Sequence, residues 1–291
     1  MVWLNDIIQG ILLGGEYALF ACGLSLLFGI MKVVNLAHGD LAIVGAYVAT
    51  GVIAVTHVQF LWSIPIMLVL MAAVGYVLQR SVIQAALSKG ELATLIVTFG
   101  LSVVLENGLQ QFFTANSRSI GTGSSLLSDS FLNGTQFQTG WLPVGIFVVA
   151  VIVLLALQWF LSSSKYGRMI RAVADDREAA LLSGVNSRHV FGIAAAIAFA
   201  TVGLAGVAYG MSGQFSPSDG NSSILLWAFA SVVIGGLGSL WGTLLGGIVL
   251  GVAELIGAQI NPSYEALAGY VIFLVVLVLR PQGLTARKAQ S

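Results

Sequence analysis

Few residues in this chain can do chemistry, and most of those that can stand in apolar surroundings. The stretch NLAHGD, residues 35–40, sets Asn35, His38 and Asp40 between GLSLLFGIMKVV and LAIVGAYVATGVIAV. A histidine beside a carboxylate suggests proton transfer first. Asn35 and His38 are three apart and share a helix face, whereas Asp40 falls off that face in a continuous helix. Gly39 weakens a helix there. A helix that starts late leaves free N–H groups, which Asn35 or Asp40 can cap. Non-helical backbone at membrane depth is tolerated only where it is buried in protein or lines a water-filled cavity. Half-helix N-termini in transporters receive anionic groups such as a carboxylate. Two readings stay open: a cap at the membrane surface beside Lys32, or a solute contact within the membrane.

Glu16, Glu106, Asn107 and Glu254 pose the same choice, since each interrupts an apolar segment. Burying an ionisable group in a bilayer costs a few kcal/mol or more, roughly 2.5–3.5 at a helix centre by insertion scales. Each is therefore a buried interhelix contact or part of a path. Other chemistry is thin. His38, His57 and His189 are far apart in sequence, with no HExxH or CxxC, so no metal is expected. The single cysteine, Cys22, allows no disulfide within the chain. No GxSxG elbow is present. GxxxxGK[ST] is missing too, and a GxGxxG reading of the glycine-rich run fails at Trp241. The expectation is a protein that is not an enzyme and has no cofactor.

The elements that position these residues follow from composition. Of 291 residues, 57% are hydrophobic and 8% charged, with a mean hydropathy of +0.95. A soluble domain carries about 25% charged residues. Too little polar surface exists to cover a globule, so the lipid bilayer is the solvent. Zero net charge implies no nucleic-acid partner. Strand alternation is absent, which argues against a barrel. Apolar segments fall at about 7–30, 33–55, 59–79, 90–113, 141–161, 189–210, 224–238, 240–258 and 264–280. The chain reads as one all-α, polytopic transmembrane helical bundle over 1–291, with about nine segments and eight or ten as alternatives. The 224–238 piece is short, so it and its neighbour read as half-helices or a re-entrant hairpin around GGLGSLWG. Gly238, Gly242 and Gly246 lie four apart, as do Gly247 and Gly251, a small-xxx-small spacing for close helix packing.

Nine passes put Lys32, Arg80, Lys89, Lys165, Arg168, Arg171, Arg177, Arg188, Arg280, Arg287 and Lys288 on one side, and Arg118 alone on the other. Positive residues stay cytoplasmic, so the C-terminus is expected inside and the N-terminus outside. The start, MVWLNDIIQG, lacks the marks of a cleaved signal peptide. Residues 114–140 form a Ser/Thr/Asn/Gly-rich outer loop, either a connector or part of a docking face.

The inner loop, 162–188, carries the strongest signal. Within RMIRAVADDREAALL, the apolar residues Ile170, Val173, Ala174, Leu181 and Leu182 fit one face of a short amphipathic helix or helix pair. Arg171, Asp175 and Glu178 are spaced for charge pairing, and Gly184 offers a stop. The order Glu178-Ala179-Ala180, three residues, then Gly184 resembles the EAA motif of ABC importer membrane subunits. The blocks GLSLLFGIMKVVNLAHGDLAIVGAYVA, YGRMIRAVADDREAALLSGVN, VIGGLGSLWGTLLGGIVLG and LVLRPQGL are similar to the branched-chain amino-acid ABC permease family, in the order of its H-type subunit.

That resemblance implies an ABC importer permease fold, with 162–188 as the coupling loop that seats on an ATP-binding subunit. It implies three kinds of protein partner, beside the bilayer that composition already requires: a homologous M-type permease subunit, two cytoplasmic ATPase subunits and a periplasmic substrate-binding protein. It also implies leucine, isoleucine or valine as substrate and a bacterial inner membrane as location. Related permeases for urea, short amides and other amino acids share these blocks. A stand-alone ion-coupled carrier using Asp40 and Glu254 is the reading from a different class.

Overall fold

A computed structural model describes residues 2–56, 59–121 and 140–285. His57, most of the outer loop, Arg287 and Lys288 lie outside the described residues. The elements are helices: α1 (Val2–Met31), α2 (His38–Thr56), α3 (Phe60–Leu87, with a π turn over Gln79–Ile83), α4 (Glu91–Phe113), α5 (Trp141–Ser163), α6 (Lys165–Asp175), α7 (Arg177–Leu182), α8 (Ser187–Ser212), α9 (Leu225–Gly235, preceded by a π turn Gly220–Ile224), α10 (Leu240–Ile260) and α11 (Glu265–Leu279). Eight of them are long and apolar enough to cross a membrane, and Gly220–Gly235 is a shorter apolar helix. The segment expected at 224–238 therefore starts earlier and is not a full crossing.

α1, α8 and α10 are the central helices, and small residues let them touch. A Cβ on Gly247 would stand 2.5 Å from the Gly14 carbonyl, and one on Gly251 would stand 2.5 Å from the Gly10 carbonyl. Gly242 and Gly246 press on another face, against the Gly235 and Ser231 carbonyls of α9. Gly238 is not in α10; it occupies the turn before it, with φ +85°.

Two helices start inside the bundle. The six residues Lys32–Ala37 are not helical, so α2 does not follow directly on α1. His38 Nε2 lies 2.8 Å from the Phe20 carbonyl, and a Cβ on Gly23 would stand 3.1 Å from the His38 ring. From Phe20 to Met31, α1 rises about 16 Å at ~1.5 Å per residue. α2 thus begins near the middle of the apolar stretch of α1 and runs to the end where Tyr47 stacks on Phe113. On the other side of the break, α8 ends beside Glu16, whose Oε2 accepts from Ser212 Oγ at 3.1 Å. The chain then dips, and Gly220 lands on Asp40: a Cβ there would be 2.7 Å from the Asp40 Cα. From that point the π turn and α9 cover about 24 Å of rise, against a hydrocarbon core of roughly 30 Å. Leu284 N–H and Thr285 N–H cap the far end of α9 by donating to the Ile234 and Gly235 carbonyls at 2.8 and 3.1 Å.

Charge divides the ends. The Arg80–Tyr76–His189 chain of hydrogen bonds ties α3 to the start of α8. Arg171 meets Gly29, Ile30 and Gly238 around one cavity. Lys32, Arg80, Lys89, Lys165, Arg168, Arg171, Arg177, Arg188 and Arg280 all belong to this basic end. Arg118 belongs to the opposite end, where it exchanges backbone hydrogen bonds with Phe215 at 2.8 and 2.7 Å.

Candidate functional site

The site forms where the two late-starting helices meet. Asn35 Oδ1 accepts from Ala37 N–H at 3.1 Å, and its carbonyl accepts from His38 N–H at 3.2 Å. Asn35 therefore turns the extended segment into α2. Asp40 sits in the first turn of α2, fully buried, with Gly220 across from it. Gly39 packs on the start of the second helix; a Cβ there would overlap the Gly220 carbonyl and stand 2.9 Å from Leu225 N. Two helix N-termini converge on Asp40, and each carries a partial positive charge, about half a unit.

α4 supplies the facing wall. Thr94, Thr98, Ser102, Glu106 and Gln110 recur every four residues, so they form one stripe. Thr94, Thr98 and Ser102 are buried. Leu36 N–H donates to Thr98 Oγ1 at 3.3 Å, which ties the extended segment to the stripe. Gln110 Nε2 donates to Glu106 Oε1 at 3.2 Å farther along. Buried polar atoms are normally satisfied, yet several here are not. Asn35 Nδ2, His38 Nδ1, both carboxylate oxygens of Asp40, Tyr47 Oη and Ser102 Oγ have no partner in good hydrogen-bond geometry. Gln79 Nε2 and Gln84 Oε1, near the basic end of α3, are in the same state. Cavities of about 310 Å³ beside Arg171 and about 330 Å³ beside Glu16 lie elsewhere. Asp40 itself is closed over, although Asn221 and Ser222, just beyond Gly220, are exposed.

The fold gathers Asn35, His38, Asp40 and Glu106 in this region. It does not gather Asn107 and Glu254. Asn107 is exposed, and its amide donates to the Val103 carbonyl of its own helix at 2.8 Å. Glu254 lies on α10 and accepts a hydrogen bond from Tyr17 of α1. Sequence reasoning missed Thr94, Thr98, Ser102 and Gly220. The four-residue spacing of hydroxyls in 90–113 was the available signal for the first three. Gly220 gave none, since only contact with Asp40 marks it.

At the basic end, 162–188 folds as two helices rather than one. Asp176 ends α6 and caps α7, accepting from Glu178 N–H at 2.8 Å and Ala179 N–H at 3.0 Å. Arg171 turns away from the expected charge pairing and donates to the Leu161 and Ser162 carbonyls, which closes the end of α5. Ile170 and Val173 are buried, but Leu181 and Leu182 are exposed, Leu182 at 92%. Gly184 follows with φ +81°, and Val185 N–H returns to the Ala180 carbonyl at 3.0 Å. Ala180 is buried beneath this turn, while Asp175, Glu178 and Ala179 lie on its outer side. Among the described residues, no group of three His, Cys, Asp or Glu side chains is placed to hold a metal.

Two helices that start inside the bundle flank a buried polar line, and a short exposed helix lies beyond one end. The chain is 31% identical to a high-affinity branched-chain amino acid transport system permease protein, BraD, of Pseudomonas aeruginosa, over 98% of this chain and 96% of that protein. It is 29% identical to the permease LivH of Escherichia coli K12, over 99% and 96%. It is also 28% identical to a ribose import permease, RbsC, of Haemophilus influenzae, over 86% and 79%. No solved structure matches. Residues 7–279 match the family model described as the permease component of branched-chain amino acid transport systems, and this multi-pass membrane chain belongs to that family.

Proposed function

We propose that this chain is the H-type membrane subunit of an ATP-driven importer for leucine, isoleucine and valine. The single observation that carries the substrate class is the near-full-length likeness to the two branched-chain permeases. A homologous M-type permease completes the path, two ATPase subunits hydrolyse ATP, and a periplasmic binding protein delivers the amino acid. The basic end faces the cytoplasm of a bacterial inner membrane, by the positive-inside rule. Exposed Leu181 and Leu182 on α7 then enter a cleft of the ATPase, and Ile170 and Val173 of α6 root the pair in the bundle. Closure of the ATPases moves α6–α7, and α8, which follows at once, carries the motion towards Gly220. The solute path runs along the α4 stripe past Asn35, His38 and Asp40.

The test is uptake of labelled leucine by the complete importer in proteoliposomes. Uptake should require ATP and the binding protein. Transport by the isolated chain on an ion gradient, without ATP, would reject the proposal in favour of a secondary carrier.

A further inference from the structure

The pole where the two helices start is the place that would take a substrate carboxylate, but it already holds one, the side chain of Asp40. Two helix dipoles stabilise that charge without pairing it. Neither of its oxygens has a donor in good hydrogen-bond geometry, and the nearest one, the Ser102 hydroxyl of α4, is neutral and brings no compensating charge. A fully buried anion in this state lacks a cation. The described lysines and arginines lie at the two ends of the bundle, so none reaches it. A second carboxylate here would be repelled; an ammonium group would complete the site.

We infer that Asp40 is the seat for the α-ammonium group of a zwitterionic amino acid, held inside the apolar part of the bundle. The inference rests on the importer reading above and deepens it. The Gly220–Ile224 turn is what must lift for the ligand to arrive. It is a π turn packed on Asp40 through a glycine, and its next two residues, Asn221 and Ser222, are exposed. π turns inside helices are frequent at functional sites. A sugar carries no ammonium group, so the same seat works against sugars.

The experiment reads charge at the site without depending on turnover. In full-length protein within the assembled importer, with Cys22→Ala, a cysteine is placed at Ser102. Its reaction with a cationic and an anionic methanethiosulfonate reagent is timed, and the ratio is normalised to a cysteine at exposed Ser183. The cationic reagent should be favoured by about tenfold or more, as a unit charge at contact distance in a partly buried site requires. Asp40→Asn should lower the ratio several-fold, leaving only the smaller preference due to Glu106, one turn from Ser102. Leucine should slow the labelling, and its 2-hydroxy acid counterpart, which lacks the ammonium group, should not. Equal protection by both compounds, protection by sodium chloride alone, or labelling without charge preference would each overturn the inference. Should Ser102→Cys not assemble, Thr98→Cys, one turn away, replaces it. Failure of the importer reading shows separately, as absent ATP-driven uptake.

Discussion

Asp40, Gly39 and Gly220 depend on one another at the scale of single residues. Gly39 and Gly220 leave no room for a Cβ, because the opposing backbones are already in contact. Gly39→Ala should therefore act by overpacking, at about 1–3 kcal/mol, and should lower the thermal unfolding midpoint of the purified protein while reducing uptake. Unchanged unfolding and uptake would mean that the two helix starts are not held together. Asn107→Ala makes the contrast, since its side chain is exposed and bonded within its own helix. Its stability should stay within about 0.5 kcal/mol of the parent, with uptake nearly unaltered. In the sequence, the residue types of NLAHGD were legible as a polar break. Its depth was not, because depth is fixed by His38 meeting Phe20, a partner that no local pattern names.

At the scale of elements, the α6–α7 pair carries a similar lesson. Periodicity and the Glu178–Gly184 order located it, and Gly184 turns with φ +81° as a stop signal requires. The break at Asp176 was hidden, because Arg171 leaves its helical neighbours to cap α5, and helix spacing alone cannot foresee a competing acceptor. Asp176→Ala should remove the cap on α7 and cost about 1 kcal/mol of local helix stability. In the assembled importer this should appear as less leucine moved per ATP hydrolysed, and a coupling ratio equal to the parent's would refute that role. Leu182→Asp leaves the bundle intact, since the side chain is exposed. If Leu182 is a buried anchor in the ATPase cleft, the change should weaken co-purification of the ATPase by a factor on the order of thirty, the equivalent of ~2 kcal/mol.

At the scale of the whole molecule, crossing number and orientation are one argument. Composition and hydropathy gave the class and nearly every segment, but a window of apolar residues cannot separate a crossing from a half-crossing. α9 and its π turn stop short of the full core, and the proposed topology has them complete a crossing begun by the chain that dips in from Ser212. The proposed number of crossings is therefore odd, with the start of α1 and the end of α11 on opposite faces. The segregation of charge gives the sign: Lys32, Arg80, Lys89 and the α6–α8 arginines share one end, and Arg118 holds the other. In the Cys22→Ala background, a cysteine at Ser183 should react with a membrane-impermeant thiol reagent only in inside-out vesicles. One at Thr114, beside the Arg118–Phe215 bridge, should react only from outside whole spheroplasts. Labelling of both positions from the same face would remove one crossing. It would also undo the placement of Gly220 opposite Asp40, because a chain entering from the basic end could not reach Asp40 and return through α9.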